Sequence, residues 1–361
     1  MDSRPIIGIT MGDPFSIGPE ITLRTLADPE IYRRCRPVII GDLPPLRQAA
    51  QILRAVSDFQ VNLHPISDLQ DAVFTPGTVD VLDLGLITPE QVPNNLTARG
   101  PTPFGIGPTP FGGEAAFRYV EKVIALAMDG KVDATVTNAI SKEAINLAGH
   151  HFAGHTEIYA HFTNTKKYTM MLAHENLRVV HVSTHVSLRE ACDRVKKGRV
   201  LECIQLADAC CKALGIAQPK IGVCGLNPHS GENGMFGREE IEEIQPAIDE
   251  ALKLGFYLPD PKPLPPDSAF SKALGGWYDI LVVMYHDQGH IPLKVKGFVY
   301  DQDKQRWNAV SGINVTLGLP IIRVSVDHGT GFDQAGCGQA SPVSLNNALD
   351  YAIQMAVNKG H

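Results

Sequence analysis

Short β-branched runs closed by Gly, Pro, Asn or Asp alternate along this chain with longer stretches in which apolar residues recur at helical spacing. The runs at 6–10, 37–42 and 132–138 read as strands buried on both faces, with weaker strand signals near Val61 and at 79–82. Between 113 and 128, Phe117, Val120, Ile124, Ala127 and Met128 fall on one helical face. Helices are also expected after Pro19, over 46–56, from Ser141, and over 187–197, 199–214, 238–253 and 343–358. Alternation of this kind predicts an α/β fold with mainly parallel sheets.

Three further runs share an ending. Leu177-Arg178-Val179-Val180 leads to His185, Ile221-Gly222-Val223-Cys224 to His229, and Ile280-Leu281-Val282-Val283 to His286. In open α/β sheets, ligands sit outside the carboxyl ends of the strands. Three imidazoles delivered there can hold one divalent metal and leave a position open for substrate, the layout of a catalytic site. Taken singly, each histidine is more often a satisfied loop residue. The metal reading rests on all three meeting one sheet edge.

At 361 residues, 44% apolar and 20% charged, the chain has material for two ordinary domains or one large α/β unit. A formal charge of −7, with no basic cluster denser than Lys196-Lys197-Gly198-Arg199, argues against nucleic acid as a main partner. No apolar run approaches the about 18 residues of a membrane span, and no leader pattern is visible, so a cytoplasmic protein without membrane contact is expected. Seven cysteines without a CxxC pair read as reduced and mostly buried.

Several loops carry candidate chemistry. The Gly12–Gly18 loop can aim backbone N–H groups at an anion, although it lacks both the Walker and the Gly-x-Gly-x-x-Gly spacing. In Gly154-His155-Thr156-Glu157, His155 and Thr156 either donate to a ligand or Thr156 caps the following helix. Asn227-Pro228-His229-Ser230-Gly231-Glu232-Asn233-Gly234 gathers functional residues on a tight backbone. Lys294, Asn314 and Arg323, on or near successive strands, suit an anionic substrate, with Arg323 able to make a bidentate contact. Ser325-Val326-Asp327-His328-Gly329-Thr330 ends a further strand at the same edge. The stretch Gly100-Pro101-Thr102-Pro103-Phe104-Gly105 recurs as Gly107-Pro108-Thr109-Pro110-Phe111-Gly112 and reads as a duplicated loop without function. Residues 300–311 read as a polar loop insertion, either a surface excursion or a flap carrying Trp307.

Read together, Gly18-Pro19-Glu20, Gly154-His155-Thr156-Glu157, Thr184-His185, Gly225-Leu226-Asn227-Pro228-His229, Met284-Tyr285-His286-Asp287-Gln288-Gly289, Asn314-Val315-Thr316-Leu317-Gly318-Leu319-Pro320 and Ser325-Val326-Asp327-His328-Gly329-Thr330 resemble the 4-hydroxythreonine-4-phosphate dehydrogenase (PdxA) family along nearly the whole chain. The resemblance implies an isocitrate/isopropylmalate dehydrogenase-like fold of two α/β/α domains. These are expected at 1–136 plus 312–361 and at 137–311, with the active site in the interdomain cleft at a homodimer interface. It implies NAD or NADP and one divalent metal (Zn, Mg, Co or Mn) on His185, His229 and His286. His155, Thr156, Lys294, Asn314 and Arg323 match substrate contacts. The nicotinamide cofactor is expected at Gly225, Asn227, Asp327 and Gly329, and Lys294 or Asp267 as the base.

The implied reaction is oxidation of the secondary alcohol of 4-phosphohydroxy-L-threonine followed by decarboxylation, in pyridoxal phosphate biosynthesis. A metal lowers the pKa of a bound alcohol as hydride leaves to nicotinamide, and stabilises the enolate left when CO2 departs. Relatives within the resemblance oxidise 4-phospho-threonate or erythronate, or cis-dihydrodiols of aromatic dicarboxylates. Phe15 and Asn138 stand where members usually carry small residues. With Trp307, Phe15 suggests an aromatic pocket suited to a dihydrodiol. The rival outside this class is a three-histidine hydrolase or lyase, and a third possibility is a non-catalytic binding protein.

Overall fold

The computed structural model describes residues 2–302 and 306–359, without side-chain detail at 299–301 and 306–310. The chain divides into two compact units, Met1–Thr165 with Leu319–His361, and Lys166–Gly318.

In the first unit the strands lie in the order Arg323–Val326, Ala134–Thr137, Ile6–Thr10, Arg36–Gly41, Thr78–Asp83 and Asn62–Ile66. Every pairing is parallel. Ile7, Ile9, Val38, Ile39, Ala134 and Val136 are fully buried, as a sheet covered on both faces requires. The helix Pro110–Met128 presses so closely on the sheet that a Cβ at Gly8 would lie 2.7 Å from Val123 Cγ2. The helices Lys142–Leu147 and His155–Phe162 both pack on that same helix, so residues 137–165 stay in the first unit, where the sequence placed the boundary at 136.

The duplicated stretch is not wholly a loop. Its first copy forms a short strand at Gly100–Pro101, and Phe104 donates its N–H to Ala335 O. In the second copy Thr109 caps the helix that begins at Pro110, accepting from Gly112 N at 3.1 Å. Identical sequence takes two conformations because its neighbours differ.

In the second unit the order is Ile221–Val223, Ile280–Val283, Leu177–His181, Thr169–His174 and Ile313–Leu317. The first three are parallel neighbours, while Thr169–His174 runs antiparallel to both strands beside it. That strand was not anticipated. It returns through Glu175 and Asn176, a two-residue turn with Glu175 at φ 51°. Leu172, Leu177, Val179, Leu281, Val283 and Leu293 form the core. The expected 300–311 loop is instead an antiparallel hairpin, Phe298–Asp301 with Arg306–Val310. The Trp307 side chain lies outside the described residues. All seven cysteines are free thiols, and no described helix is long and apolar enough to cross a membrane.

Candidate active site

The three histidine-bearing strands are immediate neighbours in the second unit, and two of their histidines come together. Val182 N donates to Val283 O, and Ser183 Oγ donates to Met284 O at 3.1 Å, extending the strand pairing just past the sheet. This brings the His185 and His286 rings to 5.8 Å between centroids. With Thr184, Ser187, Tyr285 and Asp287 they line a pocket of about 480 Å³.

His286 is not at a strand end, as the sequence suggested. The strand stops at Val283, and His286 opens the helix His286–Gly297. Lys294 therefore lies on that helix, with Nζ 4.5 Å from the centre of the ring of Phe298, which opens the next strand. The Nδ1 of His286 lies 2.6 Å from Asp287 Oδ1, which commits that nitrogen to the carboxylate and leaves Nε2 for a ligand. One turn on, His290 stacks on His286 at 3.5 Å.

His229 is exposed, and it begins a run of five residues with φ of 51°, 54°, 77°, 42° and 55°. Four of them are not glycine, and such backbone costs about 1–3 kcal/mol per residue unless its surroundings hold it. Glu240 anchors the residues that lead into this run. Its Oε1 accepts from Leu226 N (2.7 Å) and Asn227 N (2.8 Å), and its Oε2 from Asn227 Nδ2 (2.9 Å). A Cβ at Gly231 would sit 2.6 Å from that carboxylate, and one at Gly225 3.0 Å from it. Gln288 adds a second brace, accepting from Met284 N and donating to Gly225 O at 2.8 Å. Among the described residues no three His, Cys, Asp or Glu side chains sit close enough to hold a metal ion.

Gly225 and Asn227 thus spend their hydrogen bonds inside the protein. Gly329 faces open space, its carbonyl accepting from His328 Nδ1, while Asp327 N donates to Ser344 Oγ. Asp267 is exposed in the first turn of the helix Pro266–Leu274, and no described hydrogen bond joins it to the histidines. Asn314 sits on the strand Ile313–Leu317, its Nδ2 against Met170 Sδ and its buried Oδ1 without a described partner.

The first unit gathers a second group. Arg323 opens the strand Arg323–Val326 and is 2% exposed. Its Nη2 donates to Thr137 Oγ1 at 3.0 Å, and its guanidinium lies 5.6 Å from the Tyr159 ring centre. Burial pushes the guanidinium pKa down to about 10. His155 is held well below the usual imidazole range by burial and then by the Arg323 charge, and its buried Nε2 has no described hydrogen-bond partner. Thr156 follows it in the first turn but does not cap, because the cap position is Gly154, with φ 157°. His328, also held low by burial, has a buried Nε2 without a described partner.

The Gly12–Gly18 loop cannot cradle an anion. Asp13 N, Phe15 N, Ser16 N, Ile17 N and Gly18 N donate respectively to Ala139 O, Asp13 Oδ1, Asp13 O, Thr330 O and Ser16 Oγ. Phe15 is 1% exposed and packs edge-on against Phe111 at 5.3 Å, so it belongs to the core and lends no aromatic wall to a pocket. Asn138 is equally internal, donating to Thr10 O and Thr22 Oγ1.

Residues 33–352 match the model of the family described as pyridoxal phosphate biosynthetic protein PdxA. The chain belongs to this family. It is 42% identical over 360 residues to the D-threonate 4-phosphate dehydrogenase of Cupriavidus necator, covering 99% of each protein. Crystal structures of 4-hydroxythreonine-4-phosphate dehydrogenases are also similar. The Burkholderia phymatum enzyme has 39% identity and a TM-score of 0.79, covering 98% of each chain. That of Klebsiella pneumoniae has 38% and 0.81, covering 98% of this chain and all of that one. The fold is of the isocitrate/isopropylmalate dehydrogenase-like type. The protein is a dehydrogenase, an oxidoreductase acting on a CH–OH group, and the hydrolase, lyase and non-catalytic readings give way to that.

Proposed function

We propose that this PdxA-family chain is a metal-dependent, NAD- or NADP-linked dehydrogenase. Its substrate is D-threonate 4-phosphate, oxidised at the secondary alcohol beside the phosphorylated carbon, with CO2 then leaving the β-keto acid. The observation that carries the reading is the buried Arg323 beside His155, whose Nε2 waits for a partner. A planar guanidinium in a site of low polarity grips phosphate or carboxylate oxygens in pairs. The full-length similarity to a D-threonate 4-phosphate dehydrogenase supports this choice of acid. The names of the solved relatives support a second reading, 4-phosphohydroxy-L-threonine, which carries an amine in place of the hydroxyl beside the carboxylate.

The donor set suits a divalent cation in part. His185 and His286 meet, and Asp287 engages His286 Nδ1, which leaves Nε2 for a ligand. His229 completes the set when two copies assemble, the homodimer that the family resemblance implies. When bound, the cation supplies Lewis acidity to the alcohol and the nicotinamide accepts the hydride. The protein's own part is positional. Arg323, His155, Thr156 and Asn314 orient the acid, Asp327 and Gly329 offer an edge for the cofactor, and Lys294 takes the hydroxyl proton. Asp267 is left without a role.

The test is a substrate panel with metal saturated and NAD or NADP supplied, read at the reduced-nicotinamide band. D-threonate 4-phosphate is expected to give the highest kcat/KM of a set including 4-phosphohydroxy-L-threonine and a cis-dihydrodiol dicarboxylate. A higher value for either competitor moves the assignment to it. Reduction of neither nicotinamide by any of them overturns the reading.

A further inference from the structure

Three imidazoles stand in series in the second unit, and two of them have no part in the reaction above. His181 ends the strand Leu177–His181 and is fully buried. Its ring lies 4.7 Å from that of His290, tilted by 48°. His290 in turn lies 3.5 Å from His286, at an interplanar angle of only 11°. The fold makes room for the series at Gly289, where a Cβ would strike His181 Nε2 at 2.6 Å and Val283 Cγ2 at 2.9 Å. The helix His286–Gly297 therefore seats on the sheet just where His181 occupies it.

We propose that His290, backed by His181, is a positioning residue that holds the His286 ring by face-to-face stacking and so sets the affinity of its Nε2 for a divalent cation. The inference rests on the assignment of His286 as a metal ligand. His286 is pinned at two places. Asp287 takes its Nδ1, and the His290 ring covers one face of the imidazole. His290 is itself fixed, because its Nδ1 lies 2.9 Å from His286 O and a carbonyl only accepts. That nitrogen must therefore carry a proton, and the hydrogen bond holds the His290 π face against His286. An imidazole that donates to a cation becomes electron-poor, and an aromatic π face stacked on it stabilises that state. His181 closes the series by filling the space behind His290, which leaves the middle ring little freedom to swing away.

The experiment measures Co2+ affinity of the full-length protein by competition with a chromophoric chelator, together with the visible Co2+ spectrum. His290→Leu keeps an apolar side chain of similar size but removes the ring, and is expected to weaken Co2+ binding by about tenfold to a hundredfold and shift the visible bands. His290→Phe keeps a ring in the stack and is expected to retain near wild-type affinity and bands. His286→Ala is the control, expected to abolish the site. Wild-type affinity in His290→Leu, or equal weakening by Phe and Leu, overturns the stacking role while the metal assignment stands. Tight Co2+ binding by His286→Ala overturns the metal assignment and this inference with it. Far-UV circular dichroism confirms that each variant is folded.

Discussion

The two units bury different sets of polar groups near the ends of their strands. The first buries carboxylates, and backbone groups consume them. Glu20 accepts from Gly336 N and Gly338 N, and Asp42 Oδ2 from Leu86 N, Ile87 N and the Tyr119 hydroxyl. Asp13 Oδ1 accepts from Phe15 N. The second unit closes a loop in the same way with Glu240, but it also buries imidazoles, which lean on each other and on the carbonyls of Met170 and His286. A carboxylate that closes loops is spent on architecture. An imidazole with one nitrogen engaged still has a second for chemistry. The same α/β plan is thus stapled by carboxylates in both units and left chemically open at the imidazoles of the second.

The largest expected effect tests this contrast with a pair of substitutions. His286→Ala should lower kcat on the order of 10³-fold, the scale of a lost Lewis acid, while stability changes by less than about 1 kcal/mol because the side chain is half-exposed. Asp42→Ala should do the reverse. It strands two backbone donors and the buried Tyr119 hydroxyl, and should cost about 3 kcal/mol in a urea titration of the whole chain. If Asp42→Ala instead removes turnover from a protein of undiminished stability, the division between staple and chemistry is wrong.

The exception in the first unit sharpens the comparison. Arg323 is buried there, yet it faces His155 and Tyr159 and not a loop of N–H groups. Arg323→Lys keeps a charge and loses the planar fork, which should cost about 1–3 kcal/mol in kcat/KM, roughly fivefold to 150-fold. An unchanged kcat/KM would return Arg323 to the architectural groups around it.

Much of this was legible in the residues. The β-branched runs at Ile6–Thr10 and Ile280–Val283 could only be buried strands, and the strand ends pointed at His185 and His286. Arg323 stood out because a charge inside an apolar run demands a purpose. What misled was the assumption that loop glycines mean open N–H groups. The Gly12–Gly18 loop is closed by Asp13, Ala139 and Thr330, partners that lie far apart in sequence. Phe15 looked like a pocket wall because its partner Phe111 is 96 positions away and only the fold brings them together. His290 has a readable signal, the spacing of four from His286, but that spacing means contact only on a helix, and the β-branched run before it reads as a strand that continues through His286. Glu240 gave no local sign at all, since its role is fixed by a loop 13 and 14 residues earlier.

The smallest expected effect is a difference in acid sensitivity between the units. His181 has its pKa held near 3 in the folded chain by burial, below the 6.5 of a free imidazole. The unfolded chain therefore takes up a proton below 6.5 while the folded one does not, so the stability present above pH 6.5 is lost as pH falls toward 3. His174, also held low by burial, acts in the same direction, and so do Glu239, Glu243 and Asp260, lowered chiefly by hydrogen bonds. In the first unit burial raises Asp13 to about 6, and raises Glu20 and Asp42 as well. A folded carboxyl that holds its proton where the unfolded one is ionised gains stability as pH falls from about 6 toward 3.8, which offsets the losses from His155 and His328. Between pH 7 and pH 5 the second unit should therefore loosen more than the first. Native-state hydrogen exchange on chelator-treated protein reads this directly, once corrected for the intrinsic rate at each pH. Amides of Leu177–His181 should lose protection relative to those of Ile6–Thr10, and His181→Phe should shrink the difference. Equal loss in both strands, or earlier loss in the first unit, would show that the buried carboxylates and imidazoles do not divide the molecule's response to acid.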